Sequence, residues 1–88
     1  MLTLGVLKNA EPSSYARAGF VTSKRIGGAV ARNYARRRLR EIFRKHQHEL
    51  LPGVWVVTIA SSRAVDASFR ALEDEWLRLA QCASILAL

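Results

Sequence analysis

Three groups of side chains in this 88-residue sequence could do chemistry, and their spacing separates them. Hydrolysis carried out by the protein itself would need carboxylates converging on magnesium, and the one acidic cluster is Glu73-Asp74-Glu75. Consecutive helix residues point in different directions, so the cluster reads as a solvated acidic first turn that complements a helix dipole. His46 and His48 are two apart on a helix and do not face one ligand; both read as structural or incidental. Cys82 is the only cysteine and has no suitably spaced histidine or basic neighbour to generate a thiolate. It also excludes an internal disulfide framework and any zinc site built on paired cysteines. No protein catalytic constellation emerges, and a metal ligand set is not defined.

The third group is basic. Lys24, Arg25, Arg32, Arg36, Arg37, Arg38, Arg40, Arg44 and Lys45 share one segment with a single acid, Glu41, so it carries +8 while the rest of the chain sums to −1. Concentrated positive charge selects polyanions, and arginine favours bidentate phosphate contact over loose screening. Within this segment, Ser23 to Arg44 reads SKRIGGAVARNYARRRLREIFR. The paired glycines Gly27-Gly28 allow close backbone approach to a ligand, and the helix start that follows offers unpaired N–H groups to a phosphate. Neither GxGxxG nor GxxxxGK[ST] is present, so the target is a polymer backbone and not a mononucleotide.

Position depends on the elements. Residues 2 to 8 and 16 to 23 read as two strands joined by the turn-rich loop Asn9 to Ser14, an expected antiparallel hairpin. A helix follows from about Ala29 to Leu50 and ends at Pro52-Gly53, with Ala31, Ala35, Leu39, Ile42, Phe43, His46 and Leu50 as its apolar stripe. Arg32, Arg36, Arg40 and Arg44, with Asn33, Arg37 and Gln47 among them, form one polar flank. Arg38 and Lys45 fall on the opposite flank, leaving about six bases for one ligand. Val54 to Ala60 is apolar at every alternation, as expected of a central strand covered on both faces. Asp66 or Ser68 caps a last helix whose stripe is Phe69, Leu72, Trp76, Leu79 and Ala83. The order β-β-α-β-α predicts one two-layer α+β domain over residues 1–88.

The chain is 50% apolar with net charge +7, which excludes a disordered tail. Its apolar runs are too short to cross a bilayer, and the apolar start, Met1 to Leu7, is too short for a secretory signal core. A cytoplasmic, membrane-free protein is expected, with its oligomeric state undetermined. The amphipathic basic helix also permits a membrane-surface reading, but its apolar stripe is expected to be occupied by the sheet.

At Ser23 to Glu41 the sequence resembles the bacterial ribonuclease P protein component, whose signature runs roughly S-K-[KR]-[VI]-G-x-A-V-x-R-N-R-x-[KR]-R-x-[LM]-R-E. Ser23, Lys24, Arg25, Ile26, Gly27, Ala29, Val30, Arg32, Asn33, Arg36, Arg37, Leu39, Arg40 and Glu41 match it without a gap. The resemblance continues through Leu51-Pro52-Gly53, the apolar strand and the ASFRALEDEWLRL helix. It implies a non-catalytic protein subunit of an endoribonuclease. Such a subunit binds a catalytic RNA and helps it recognise precursor tRNA, whose 5′ leader is removed by Mg2+-assisted hydrolysis within the RNA. By position, Lys24, Arg25, Arg32, Asn33, Arg36, Arg37 and Arg40 are implied RNA contacts, and the helical wheel extends them to Arg44. The resemblance further implies a left-handed crossover from the second strand through the basic helix to the third, where generic handedness rules predict the opposite.

Two features depart from the family pattern. Tyr34 stands where the second arginine of the R-N-R element is expected; it can stack on a base or ribose, or pack on a neighbouring element. The chain begins at what corresponds to the family's second strand, without the N-terminal helix and first strand. That helix is implied to form one wall of a leader cleft whose floor is an exposed sheet face, with Phe20 and Thr22 as candidate floor residues; ordinary core packing of Phe20 beneath a helix fits the sequence at least as well. A naturally reduced subunit, a truncated product and a misplaced start all fit this beginning. The competing functional readings are a general RNA-binding module and an inactive truncated family member.

Overall fold

A computed structural model describes residues 1–8 and 15–86. Strand β1 (Leu2–Leu7) and strand β2 (Arg17–Thr22) lead into a single 3-10 turn at Lys24–Ile26 and then into helix α1 (Ala29–His46). A second 3-10 turn at Gln47–Glu49 precedes strand β3 (Trp55–Ala60), a short helix α2 (Arg63–Asp66) and helix α3 (Phe69–Cys82). This is the α+β architecture that the hydrophobic periodicity predicts, with α2 in addition. The expected loop Asn9 to Ser14 lies outside the described residues.

The sheet order is β1-β3-β2, with β3 antiparallel to β1 and parallel to β2. The expected hairpin between β1 and β2 is therefore corrected: β3 inserts between them. Val54 to Ala60 is the most continuously apolar strand, and the central position pairs both of its edges. A parallel β2–β3 pair requires a crossover connection, and α1 supplies it.

Only one face of the sheet is covered. In β3, Val56, Thr58 and Ala60 are buried while Trp55, Val57 and Ile59 are exposed, so the expectation of a strand covered on both faces is corrected as well. Leu2, Leu4, Val6, Ala18 and Phe20 join Val56 against the helices. The covering layer is α1 and α3: Leu39, Ile42 and Phe43 from one, Leu72, Trp76 and Ala80 from the other. Aromatic rings bind the layers edge to face, Phe20 to Phe43 at 6.1 Å and Phe43 to Trp76 at 6.4 Å between centroids. Trp76 donates its indole N–H to Thr58 Oγ1 at 3.1 Å, so the one hydroxyl on the covered face of β3 is paired in the core.

Helix α3 starts where Ser68 accepts from the Ala71 amide at 3.0 Å. Ala80, where the sequence suggests Leu79 and Ala83, completes its buried stripe. Its acids are not a solvated first turn: they lie beyond it, and Glu73 and Glu75 are engaged. Glu75 accepts from the Leu2 amide at 2.7 Å, and Glu73 takes Lys45 and His46 from α1. The C-terminal end closes with Ser84 at φ 58°, an Ile85 amide donating to Ala80 O at 3.2 Å, and a Leu50–Leu86 bridge.

Candidate nucleic-acid interface

The approach to α1 is set by two local devices. Ser23 Oγ accepts from the Arg25 amide at 3.2 Å, holding the turn that carries Lys24 and Arg25. Gly27 then adopts φ 108°, a conformation side-chain-bearing residues avoid, and turns the chain sharply into the helix. Gly28 caps α1 without a side-chain hydrogen bond, and no acid sits in the first turn. The helix dipole therefore meets solvent uncompensated by side-chain charge at this end.

Along α1 the apolar stripe turns Ala35, Leu39, Ile42 and Phe43 inward, which obliges the opposite arc outward. Asn33, Arg36, Arg37 and Arg40 converge there, with Val30 and Tyr34, on an open pocket of about 550 Å3. Arg36 is oriented by two long contacts, donating to Asn33 Oδ1 and to Thr22 Oγ1, each at 3.4 Å. Arg32 is half-buried one turn earlier, Arg44 is exposed one turn later, and Lys24 and Arg25 are exposed ahead of the helix. Of the eight sequence-derived RNA candidates, four thus share one pocket and four extend its two ends.

Arg38 has a different job. Only 6% exposed, it donates to the carbonyl oxygens of Ala64 (3.3 Å), Val65 (3.5 Å) and Ala67, the last the shortest of the three. Its guanidinium carbon lies 4.9 Å from the centroid of the Tyr34 ring, and that of Arg37 lies at 5.7 Å. The guanidinium is a brace between α1 and the α2 region. The helical wheel separates it from the arginine pocket, but nothing in the sequence points to its carbonyl partners.

Neither of the two residues weighed as leader contacts lies on the open sheet face. Phe20 is half-buried on the helix-covered face against Phe43, and the Thr22 hydroxyl accepts from Arg36. Strand alternation sends Arg17, Gly19 and Val21 to the open face instead. That face presents three cross-strand rows: Leu7–Trp55–Arg17, Gly5–Val57–Gly19 and Thr3–Ile59–Val21. With glycines on both sides of Val57, the middle row sinks between the other two.

His46 joins three elements. Its Nδ1 lies 2.5 Å from Glu49 Oε2 and its Nε2 2.7 Å from Glu73 Oε2, and the ring stacks on Trp76 at 6.3 Å. Burial lowers its pKa, but the hydrogen bonds and charges of the two carboxylates outweigh that and leave it raised. Both ring nitrogens facing carboxylates describes an imidazolium donating twice. Glu73 is held below its usual range by Lys45, 2.9 Å away, and by His46. Among the described residues, no three His, Cys, Asp or Glu side chains gather in a way that could hold a metal ion. Glu49 and Glu73 are already taken up by His46 and Lys45.

A mixed three-stranded sheet, backed by helices on one face and crossed by an arginine-faced helix, defines a small α+β domain with a basic crossover helix. Its relatives share that design. A sequence model of the family described as Ribonuclease P matches residues 1–84, and the chain belongs to that family. It is 45% identical over 71 residues to the ribonuclease P protein component of Chloroflexus aurantiacus, covering 80% of this chain and 53% of that protein. To the Roseiflexus castenholzii ribonuclease P protein component it is 39% identical over 84 residues, 92% of this chain and 69% of that one. The chain thus spans about half the length of several relatives that it matches. Among solved structures, the Staphylococcus aureus RNase P protein superposes with a TM-score of 0.82 at 26% identity, over 97% of this chain and 76% of that one. The Thermotoga maritima RNase P protein gives 0.77 at 27%, over 89% and 73%.

Proposed function

We propose that this chain acts as the protein subunit of ribonuclease P, binding the catalytic RNA through the arginine face of α1 and assisting precursor-tRNA binding for removal of the 5′ leader. The observation that carries the reading is the convergence of Asn33, Arg36, Arg37 and Arg40 on one open pocket, at the signature positions of the family to which the chain belongs. Guanidinium groups fixed on a rigid helix bind phosphate oxygens bidentately and lower the repulsion between two RNAs brought together. Glu49, Glu73 and Glu75 are engaged within the protein, and in this reading Mg2+ belongs to the RNA.

The open sheet face is the surface we assign to the single-stranded leader, with Trp55, Val57 and Val21 as its floor in place of Phe20 and Thr22. Exposed aromatic and apolar groups on a sheet accept unpaired bases without sequence preference, and the glycine-flanked row lets a strand lie close to the backbone.

The test is precursor-tRNA 5′ cleavage by a bacterial ribonuclease P RNA at low magnesium, with and without the chain. Stimulation that vanishes on Arg36→Ala plus Arg37→Ala supports the reading. RNA binding that is equally tight for unrelated RNAs of matched length and salt, without stimulation, replaces it with a general RNA-binding module.

A further inference from the structure

The outward arc of α1 is built of Asn33, Arg37, Arg40, Glu41 and Arg44, yet it also carries two side chains that do not belong on a solvated charged face. Val30 is 85% exposed and Tyr34 42% exposed, one turn apart, and both line the arginine pocket. Neither contributes to the core. Tyr34 is also unusually well held for an exposed side chain. Arg38 lies across its ring at 4.9 Å, and Arg38 is itself fixed by backbone carbonyls of the α2 region. A ring backed this way, with the Arg37 guanidinium also 5.7 Å from its centroid, has less rotamer freedom to lose when a ligand arrives, which lowers the cost of binding.

The chemistry around the ring specifies what it would take. Arg36, Arg37 and Arg40 supply phosphate ligands, Asn33 supplies an amide that can both donate and accept at a base edge, and Tyr34 with Val30 supplies a flat apolar surface. The apolar part, one ring and one isopropyl group, is too small for a protein anchor patch and matches a single base. A cation at position 34 would add one phosphate contact; a tyrosine there adds a stacking surface.

We propose that Tyr34 and Val30 form a stacking site for one unpaired nucleotide, so that the arginine pocket distinguishes a flipped-out or single-stranded base from a continuous duplex. This rests on the RNA-binding reading above and deepens it. Base–aromatic stacking is the source of affinity, and the flanking arginines hold the phosphates on either side.

The test uses the full chain and two fluorescein-labelled RNAs of equal charge: a single-stranded 20-mer of adenosine and cytidine, and a blunt hairpin duplex. Tyr34→Ala is expected to weaken single-strand binding by about 5- to 150-fold, the range for losing one stacked base, while changing duplex binding by less than about twofold. Tyr34→Leu, which still covers Arg38 but has no π face, is expected to behave like Tyr34→Ala, and Tyr34→Phe like the unaltered chain. The slope of log affinity against log salt should stay unchanged in all three, because no phosphate contact is lost. With Trp55→Leu in both chains, so that the ring on the open sheet face is removed, a 2-aminopurine substituted into the single strand should be quenched when Tyr34 is present and not when it is Tyr34→Leu. Equal affinities of Tyr34→Leu and the unaltered chain for the single strand overturn the stacking site. So does a loss shared equally by single strand and duplex, which would make Tyr34 a structural residue. Failure of the unaltered chain to bind either RNA at low salt refutes the RNA-binding reading itself.

Discussion

Arg38→Met removes a guanidinium and keeps the length of its stem, so it isolates what the brace between α1 and the α2 region contributes. Of the three carbonyl contacts, the one to Val65 at 3.5 Å is too long to count, leaving the bonds to Ala64 and Ala67. A hydrogen bond from a charged donor contributes about 1.5–3 kcal/mol, but the Ala64 contact at 3.3 Å is long, the Ala67 contact is only part-buried, and the stem still packs. The expected cost is therefore about 2–4 kcal/mol, which for a domain of this size lowers Tm by about 8–30 °C. The complementary variant is Arg37→Met on the outward arc, which should leave stability within about 0.5 kcal/mol and lower the salt slope of RNA binding by about 0.7. Thermal melts and urea titrations followed by circular dichroism read the first quantity, and fluorescence anisotropy across a salt series reads the second. If Arg38→Met melts with the unaltered chain and itself loses about 0.7 of salt slope, Arg38 is a phosphate ligand and the brace has no energetic content.

The His46 clasp gives stability two pH edges. Because His46 is raised in the folded state, its contribution is full below the unfolded histidine value and is lost as pH climbs through the folded one. Glu73, lowered when folded, contributes above the ordinary carboxylate range and loses that contribution on acidification. Urea midpoints measured across pH should fall on the alkaline side in the unaltered chain and lose that fall in His46→Gln. Leu39→Ala, at a position 1% exposed, should cost about 2–5 kcal/mol in chemical denaturation; an unchanged midpoint would remove Leu39 from the core. Ser84 sits at φ 58° in the C-terminal cap of α3, so Ser84→Gly should raise stability by about 0.5–1 kcal/mol, visible as a higher Tm.

The period of the apolar residues places α1, α3 and all three strands within a few residues, because each buries a stripe whose spacing is local information. Pairing is not local. β1 and β2 look like a hairpin because strands close in sequence usually are neighbours, and nothing within either strand announces that β3 will separate them. Apolar alternation in Val54 to Ala60 fails for a related reason: Trp55, Val57 and Ile59 are as apolar as buried residues but are exposed on the open face. A surface kept apolar reads in sequence like a core. Phe20 and Thr22 are turned toward α1 by strand alternation, which is the core-packing alternative for Phe20. The basic face was legible because charge and helical phase coincide. Its division between outward-facing arginines and the brace at Arg38 is visible only as an angle on the wheel, since the carbonyls that claim Arg38 come from residues 64 to 67. The acids of α3 were misplaced for want of the same distant information: Lys45, His46 and the Leu2 amide are their partners.

The central position of β3 also orders events in time. Its register pairs Arg17 and Leu7 with Trp55 and Leu2 with Ala60, so the described strands begin no ladder until the chain has been made as far as its fifty-fifth residue and complete none before its sixtieth. Helix α1 can form earlier and meet Phe20 through Phe43, but β3 and α3, which complete the core around Leu39 and Ile42, are not yet there. Closing contacts between such distant partners makes folding slow relative to helical bundles of equal size. During that interval the most positively charged helix of the chain is also its least supported one. Stopped-flow refolding should therefore show substitutions at Val57 and Val56 slowing the folding limb, whereas substitutions confined to the outer arc of α1 leave it unchanged.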